Sequence, residues 1–373
     1  MSLQKITTVV GARPQFIKAA TVSRALAALK RSHNIRIQES IVHTGQHYDE
    51  NMSRVFFEEL HIPEPTINLE VGSGTHGHQT ASMLERLESV LLDSKPDWVL
   101  IYGDTNTTLA GALAAAKLRI PVAHVEAGLR SFNRRMPEEI NRIVADHLST
   151  LLFSPTDTAT QNLNREGIFA GVHQVGDVMY DSVLFNTKLA EFSSKIMRQL
   201  DLAKASFYLA TIHRAENTDD PERMRAILSA FAQIEQTIIL PMHPRTRIRN
   251  TVAKEPIKIG RNVKVIEPVS YLDMLMLEQN ARVILTDSGG VQKEAYWFRV
   301  PCITLREETE WVELVQAGCN QVVGPDPSMI AAAAARAEEM IHFEVPSDAT
   351  QLYGDGHSAE RIVAILCEAT AGA

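Results

Sequence analysis

The sequence predicts an α/β protein made of two doubly wound, Rossmann-like domains. Short β-branched runs alternate with longer helical patterns from one end of the chain to the other. Such alternation places parallel strands in a sheet whose two faces are covered by helices. The alternation occurs in two sets, and 373 residues are too many for one ordinary core. Between the sets, residues 178–205 are polar and helical in pattern, so we place the crossover between the domains there.

The first set supplies six candidate strands and two clear helices. Apolar residues at three- and four-residue spacing predict helices at Phe16–Lys30 and Gln79–Leu92. Short apolar runs predict strands at Ile6–Val10, Ile37–His43, Val99–Tyr102, Val122–Val125, Leu151–Ser154 and Gln174–Val175.

The second set repeats this rhythm, and a last helix closes the chain. Its strands are predicted at Tyr208–Ile212, Ile238–Met242, Val263–Ile266, Val283–Thr286, Cys302–Leu305 and Gln321–Val323. The pattern at His357–Glu368 predicts a helix that packs back against the first domain. The predicted domains are therefore residues 1–176 together with 357–373, and residues 177–356.

Composition argues against several classes of function. The net charge of −8 argues against general affinity for nucleic acid. No apolar run approaches the roughly 20 residues of a membrane span, and no signal-peptide pattern precedes the first strand. Cys302, Cys319 and Cys367 are widely spaced without metal-ligand spacing, which indicates free thiols in a reducing cytoplasm. We therefore expect a cytoplasmic protein that binds neither nucleic acid nor membrane.

Three acidic motifs follow one another between residues 102 and 142: Y-G-D-T, H-V-E-A-G and P-E-E-I-N-R. The first two end predicted strands and the third opens a helix, so Asp104, Glu126 and Glu138 are expected where strands give way to loops. Open α/β sheets bind ligands at that edge, and three carboxylates in one crevice could move protons. A single loop acid is more often a helix cap, but three at strand ends favour catalysis.

A glycine turn with two cations follows the first predicted strand. Gly11 permits a tight turn, and Arg13 and Lys18 would face an anion at the start of the next helix. A turn with solvated cations is an equal alternative. The single glycine does not match the G-x-G-x-x-G dinucleotide fingerprint, which argues against a nicotinamide dehydrogenase.

The second domain contains a stronger candidate for phosphate binding, T-D-S-G-G-V-Q-K-E at 286–294. Ser288, Gly289 and Gly290 would begin a helix whose free N–H groups and dipole favour a nucleotide diphosphate. Glu294, about one turn inside that helix, could accept hydrogen bonds from ribose hydroxyls. A serine-capped helix start without a ligand is the plainer interpretation.

Two strand ends of the second domain carry a histidine and an arginine. His213-Arg214 ends the first strand, and His243-Pro244-Arg245 ends the next. Histidine titrates near neutral pH and can act as acid, base or phosphate donor, so the pairs indicate an anionic ligand. Neither H-E-x-x-H nor paired cysteines occur, so we expect no metal site.

Together the motifs resemble those of the non-hydrolysing UDP-N-acetylglucosamine 2-epimerase family. They run in order from Gly11 to Gly356: G-A-R-P-Q-F-I-K, T-G-Q-H, Y-G-D-T, H-V-E-A-G-L-R, P-E-E-I-N-R, H-R-A-E-N, T-D-S-G-G-V-Q-K-E and Y-G-D-G. The resemblance implies the glycosyltransferase-B (GT-B) fold, with the active site in the cleft between two Rossmann-like domains, usually in a homodimer. It also implies exchange of UDP-N-acetylglucosamine and UDP-N-acetylmannosamine without metal or nicotinamide, by elimination of UDP to a 2-acetamidoglucal and re-addition.

The resemblance and the motifs assign expected roles. The catalytic candidates are Asp104, Glu126, Glu138 and His213, and which acid serves which face of C2 stays open. The expected substrate-binding residues are Arg13, Lys18, Arg142, His243, Ser288, Gly289, Gly290 and Glu294.

Three departures from better-known bacterial members bear on the substrate. Trp311 stands where the T-T-E-R-P-E motif of those members has its arginine. The segment Glu70–Gly74 lacks the basic residue that is found there in members activated by their own substrate. Ser131–Met136 adds Arg134 and Arg135 before the P-E-E helix. These changes resemble relatives that act on UDP-2,3-diacetamido-2,3-dideoxy-glucuronate, whose C6 carboxylate would suit an arginine. That sugar is the alternative substrate.

Other functional classes compete with this interpretation. A GT-B glycosyltransferase would bind the same nucleotide sugar but needs an acceptor site, and no acceptor-binding insertion is evident. A hydrolysing epimerase would release free sugar and UDP. A non-catalytic UDP-sugar binding protein would have little use for three clustered acids.

Overall fold

The computed structural model describes residues 4–33, 36–45, 60, 62–242, 259–339 and 351–371. The chain divides into two compact units. Unit 1 comprises Met1–Leu184 and Gln351–Ala373, and unit 2 comprises Phe185–Thr350. Within the described ranges, no helix is long and apolar enough to cross a membrane.

Each unit contains one parallel sheet. The strands are β1 Gln4–Val10, β2 Ile37–His43, β3 Ile67–Asn68, β4 Trp98–Tyr102, β5 Val122–Val125, β6 Leu151–Ser154, β7 Val172–Gln174, β8 Phe207–Thr211, β9 Thr237–Pro241, β10 Val263–Ile266, β11 Val283–Thr286, β12 Cys302–Thr304 and β13 Asn320–Val322. Their order is β3-β2-β1-β4-β5-β6-β7 in unit 1 and β10-β9-β8-β11-β12-β13 in unit 2.

Helices connect these strands and cover both sheets. In chain order they are α1 Arg13–His33, α2 His76–Ser94, α3 Asn106–Lys117, α4 Pro137–Leu148, α5 Asp157–Arg165, α6 Val178–Ser193, α7 Ile196–Gln199, α8 Ala215–Thr218, α9 Pro221–Phe231, α10 Tyr271–Asn280, α11 Gly289–Trp297, α12 Val312–Gln316, α13 Pro327–Glu339 and α14 Ser358–Ala371.

The central strands are buried along their whole length. Every residue of β4, β5, β8 and β11 is buried, as parallel strands covered on both faces require. Packing of helix on sheet is close: a Cβ atom placed on Gly111 of α3 would lie 2.9 Å from Ile101 of β4. The sheets therefore form rigid platforms whose strand ends have defined positions.

Both sheets have a topological switch point. From β1 the chain moves outward through β2 and β3 and returns beside β1 as β4; unit 2 does the same with β8 and β11. Ligands of open α/β sheets bind at the carboxyl ends of such strands. The residues that follow them are Gly11 and Gly103 in unit 1, and Ile212 and Asp287 in unit 2.

The predicted strands are all present, each beginning within two residues of its expected start. The sequence analysis did not predict β3, which has only two residues. The final helix α14 packs against α1, and Gln4 Nε2 donates to the carbonyl of Leu366 at 3.4 Å. The predicted domain boundaries after residues 176 and 356 stay a prediction. Along the chain, unit 1 ends at Leu184 and resumes at Gln351.

Candidate active site

The turns after β4 and β5 bring two predicted acids together. The N–H of Gly103 donates to the carbonyl of Val125 at 3.0 Å, and both Gly103 and Glu126 have positive φ, 63° and 72°. A Cβ atom placed on Gly103 would lie 3.3 Å from Oε2 of Glu126. Asp104, the next residue, therefore follows a turn in contact with the Glu126 carboxylate.

Lys18 of α1 forms a buried ion pair with Glu126. The start of α1 is fixed by Gln15, whose Oε1 accepts the N–H groups of Gly11 and Ala12 and whose Nε2 donates to the carbonyl of Tyr102 at 2.7 Å. Gly11 has no room for a side chain, because a Cβ atom there would collide with Thr44 and Thr107. The turn that sequence analysis proposed for anion binding is thereby tied to the end of β4.

Arg13 begins α1 and is exposed to solvent. Its position at the N-terminus of a 21-residue helix is favourable for an anionic group. The structure thus places Arg13 and Lys18 on the same helix, with the first open to solvent and the second buried against an acid.

Arg142 of α4 holds the second acid. Its Nε and Nη2 both donate to Oδ2 of Asp104, at 3.0 and 2.6 Å, and its Nη1 lies 3.1 Å from Glu139. Burial opposes the charge of Arg142, but the carboxylates of Asp104 and Glu139 outweigh it and raise the pKa of the guanidinium. Glu138 is half-buried one turn before Arg142, on the same face of α4. Asp104 and Glu126 thus follow adjacent strands of one sheet, and Glu138 lies one helical turn from the arginine that binds Asp104.

Glu139 has a different role from its neighbour Glu138, and sequence analysis did not single it out. It is almost fully buried and accepts hydrogen bonds from the N–H groups of Ser131 and Phe132, at 2.8 and 2.9 Å. Burial opposes its ionisation, but these donors and Arg142 lower its pKa. Glu139 therefore shapes the loop that carries Arg134 and Arg135, both of which are exposed.

In unit 2, Asp287 organises the strand end that carries His213. This fully buried carboxylate accepts the backbone N–H groups of His213 and Arg214, both at 3.1 Å, and Nδ2 of Asn217 at 3.0 Å. Burial lowers the pKa of His213, and the charges of Arg214 and Arg306 lower it further, against the opposing effect of Asp287. His213 is about half exposed, so its ring is available to a ligand.

The predicted phosphate motif begins α11 as expected, with Ser288 as its N-cap. The side chain of Ser288 accepts the N–H of Val291 at 3.5 Å. The two glycines differ: Gly290 is exposed, whereas Gly289 is buried so that a Cβ atom there would lie 2.7 Å from Oε1 of Glu310. Within the described part of the chain, the Gly290 side of the helix start is exposed and the Gly289 side is closed by Glu310.

Glu310 is a further residue that sequence analysis did not single out. Arg306 donates to it at 2.8 Å, and Arg214 lies 3.9 Å from its other oxygen. Burial opposes ionisation of Glu310, but the charge of Arg306 outweighs it and lowers the pKa. An acid and two arginines therefore surround the start of α11.

Glu294 is less accessible than the sequence indicated. It is buried in α11, and Tyr271 donates to its Oε1 at 3.2 Å. Burial raises the pKa of Glu294 to about 7, and burial together with Glu294 raises the pKa of Glu278 well above its ordinary value. Near neutral pH this pair of acids therefore retains a proton, and the higher pKa of Glu278 favours that residue as its carrier.

Lys293 and Trp311 pack against each other beside this pair. The ammonium of Lys293 lies 4.1 Å from the centroid of the buried Trp311 ring and 5.8 Å from that of Trp297. The tryptophan that departs from the bacterial motif is therefore a packing partner of a buried cation.

The remaining predictions can be placed as follows. His243 lies outside the described residues, together with Arg245. Cys302, Cys319 and Cys367 are free thiols, and the described residues contain no group of three or more side chains that could hold a metal ion.

Comparison with known proteins shows similarity to one protein family along nearly the whole chain. The profile of UDP-N-acetylglucosamine 2-epimerase matches residues 27–367. A UDP-N-acetylglucosamine 2-epimerase homolog of Methanococcus maripaludis is 52% identical over 97% of this chain and 99% of its own. The UDP-2,3-diacetamido-2,3-dideoxy-D-glucuronate 2-epimerase of Pseudomonas aeruginosa is 49% identical over 98% and 99%.

A solved structure agrees with the sequence relatives. The UDP-GlcNAc 2-epimerase of Methanocaldococcus jannaschii, in complex with UDP-GlcNAc and UDP, superposes with a TM-score of 0.84 at 45% identity, covering 98% of this chain and 100% of that one. The predicted α/β fold of GT-B type, with two doubly wound units, is confirmed. The chain belongs to the UDP-N-acetylglucosamine 2-epimerase family, a family of isomerases.

Proposed function

We propose that this protein inverts C2 of a UDP-N-acetyl sugar, converting UDP-N-acetylglucosamine to UDP-N-acetylmannosamine for surface polysaccharide precursors. The observation that carries the proposal is that Asp104 and Glu126 follow the adjacent strands β4 and β5 at the carboxyl edge of the unit 1 sheet, each paired with a cation. The M. jannaschii relative, whose structure holds UDP-GlcNAc and UDP, supports the choice of substrate.

The proposed reaction is elimination of UDP followed by re-addition. A base removes the C2 proton as UDP departs, and a proton then reaches the opposite face of C2 as UDP returns. Asp104, Glu126 and Glu138 are the proposed acids and bases, and Lys18 and Arg142 orient two of them. Such positioning matters because small displacements of a reacting group slow the reaction strongly.

Unit 2 would retain the departing nucleotide. The N–H groups at Ser288–Gly290 are proposed to bind the diphosphate, with His243 as a further donor, and Glu294 to bind the ribose. His213 is proposed as a catalytic residue, and Arg13 of unit 1 as a substrate-binding residue. Retention matters because UDP is both the leaving group and the returning nucleophile. No metal or nicotinamide takes part in the proposed reaction.

UDP-2,3-diacetamido-2,3-dideoxy-glucuronate is the second candidate substrate. The P. aeruginosa relative that carries this name is 49% identical to the chain. Arg134 and Arg135 are exposed on the loop that precedes Glu138, where a cation could meet the C6 carboxylate of that sugar.

Incubation with each sugar in deuterated water, followed by NMR, tests the proposal. We expect deuterium at C2 in both epimers of the true substrate and no accumulation of free UDP, with Glu126→Gln as the impaired control. Stoichiometric UDP and free sugar would instead indicate a hydrolysing epimerase. Turnover only after addition of an acceptor would indicate a glycosyltransferase.

We also propose that the protein is a cytoplasmic homodimer. The family resemblance supports the dimer, and three free thiols support a reducing compartment. Light scattering of the purified chain tests the first statement, and cell fractionation tests the second.

A further inference from the structure

A buried polar network lies behind the two turns that carry Asp104 and Glu126. His124 belongs to β5 and has no exposed surface. Its Nδ1 lies 2.7 Å from Oδ1 of Asp146, and its Nε2 lies 2.8 Å from the carbonyl oxygen of Gly103. Both ring nitrogens therefore face oxygen atoms, and neither distance leaves room for water.

The oxygen at Nε2 can only accept a hydrogen bond, because it is a backbone carbonyl. The oxygen at Nδ1 belongs to a carboxylate whose other oxygen, Oδ2, accepts the N–H of Gly128 at 3.1 Å and pairs with Nη1 of Arg130 at 2.7 Å. The guanidinium of Arg130 at this distance favours the ionised form of Asp146. Asp146 is thus an acceptor as well.

A neutral imidazole has one N–H and one lone pair, and here the lone pair would point at an oxygen. A ring that meets two acceptors satisfies both only when both nitrogens carry hydrogen. We propose that His124 is a buried imidazolium that acts as a positioning residue for the catalytic acids, a role that rests on the proposed function.

Charge balance around the ring supports this assignment. Asp146 of α4 faces both His124 and Arg130, and Arg130 forms a two-point pair with Glu166 at 2.7 and 2.8 Å. With His124 protonated, the charges alternate along His124, Asp146, Arg130 and Glu166. The imidazolium therefore adds no uncompensated charge to the core. A neutral ring would leave this group of four with a net negative charge.

The network reaches both of the turns that carry Asp104 and Glu126. The imidazolium holds the peptide between Gly103 and Asp104, while Asp146 holds Gly128, which ends the turn begun by Glu126. A displacement of the ring would move both acids relative to the sugar, although its two hydrogen bonds go to neither of their carboxylates. His124 therefore acts through the backbone.

Nitrogen-15 NMR of the whole protein labelled at histidine tests the protonation state directly. At about pH 7.5, where an ordinary histidine is mostly neutral, we expect two N–H signals from His124, identified by their loss in His124→Gln. A single N–H with a pyridine-like second nitrogen would overturn the proposal. This measurement needs neither substrate nor activity, so it stands even if the proposed reaction is wrong.

Kinetics test the positioning role. For His124→Gln we expect kcat to fall by roughly 100-fold, on the scale of a catalytic group misplaced by 1 Å, with a small change in KM and in UDP affinity. His173→Gln is the matched control, because it removes a strand histidine of β7, which is separated from β5 by β6. An unchanged kcat in a folded His124→Gln would refute the positioning role. If His124→Gln does not fold, His124→Asn takes its place in the kinetic test. The NMR spectrum of the wild type still tests the protonation state.

Discussion

Asp287 accepts the backbone N–H of His213 at 3.1 Å, and its Oδ1 lies 3.4 Å from Nδ1 of the same residue. One buried carboxylate thus fixes the main chain of His213 and opposes the loss of charge from its ring. The Asp287→Asn variant should lower the pKa of His213 further, because the raising charge is removed while Arg214 and Arg306 remain.

For this variant we also expect kcat to fall by at least about 10-fold, since orienting carboxylates behind a histidine contribute strongly to turnover. Proton NMR of the His213 ring across pH and steady-state kinetics measure the two effects. Asp326→Asn, an exposed acid of the same unit, is the control. An unchanged His213 pKa would contradict the interpretation.

The three acids of unit 1 are expected to be needed for turnover. Replacing Asp104, Glu126 or Glu138 by its amide should reduce kcat by about 100-fold or more, the usual scale for acid–base groups. Circular dichroism should show that the fold survives. Glu88→Gln, on the exposed face of α2, should leave the rate unchanged. Near wild-type rates in all three amides would remove these residues from the mechanism.

The two glycines at the start of α11 should behave differently. A Cβ atom on Gly290 would meet only Oγ of Ser288 at 3.8 Å, so Gly290→Val should fold normally and exclude UDP by occupying its side of the helix start. Gly289→Ala should instead reduce stability, because its Cβ would press on Glu310. Calorimetry with UDP and thermal unfolding separate the two effects. Unchanged UDP affinity in Gly290→Val would make this motif an ordinary capped helix start.

Stability of unit 2 should fall as pH rises from about 5.5 to 8. The folded pKa of Glu294 is about 7 and that of Glu278 is also raised, so the folded state keeps protons that the unfolded state has already released. Their stabilising contribution is complete below the unfolded pKa and is lost as pH passes the folded one.

Glu278→Gln should flatten this dependence, because it removes one of the two buried carboxyl groups with a raised pKa. Urea unfolding at the two pH values, followed by tryptophan emission, measures it. Glu235→Gln, an exposed acid of unit 2, should retain the wild-type pH dependence. An equally steep fall in Glu278→Gln would rule out the pair as its source.

Arg134 and Arg135 should discriminate between the two candidate sugars if they bind a carboxylate. The double change to alanine should then reduce activity on the glucuronate substrate selectively, by roughly 10- to 100-fold for a charge-assisted contact. Rates on both sugars, for wild type and variant, provide the measurement. Equal losses on both would mean that the arginines only shape the loop held by Glu139.

The sequence predicted the strand ends well because continuous apolar runs define buried parallel strands, and the residues after them must lie at one edge. Asp104, Glu126 and Ser288 were found in this way. Partners that arrive from distant segments had no local signal: Gln15 meets Tyr102 across 87 positions, and His213 meets Asp287 across 74.

Burial that results from packing between two helices also had no signal in the sequence. Glu278 and Glu294 lie on different helices, and only the packing of α10 on α11 makes them neighbours with raised pKa values. In α4 the sequence does not distinguish the adjacent acids Glu138 and Glu139. In the structure, Glu139 accepts a hydrogen bond from the N–H of Ser131.

The contact between Lys293 and Trp311 supplies a built-in optical reporter. The chain has three tryptophans, and Trp297 and Trp311 both lie within 6 Å of the Lys293 ammonium, while Trp98 belongs to β4 of unit 1. A ligand at the start of α11 should change the electric field at the Trp311 indole, whose Nε1 would lie 3.2 Å from a Cβ on Gly289. Emission from Trp297 and Trp311 is therefore expected to report UDP binding to unit 2 without any attached dye.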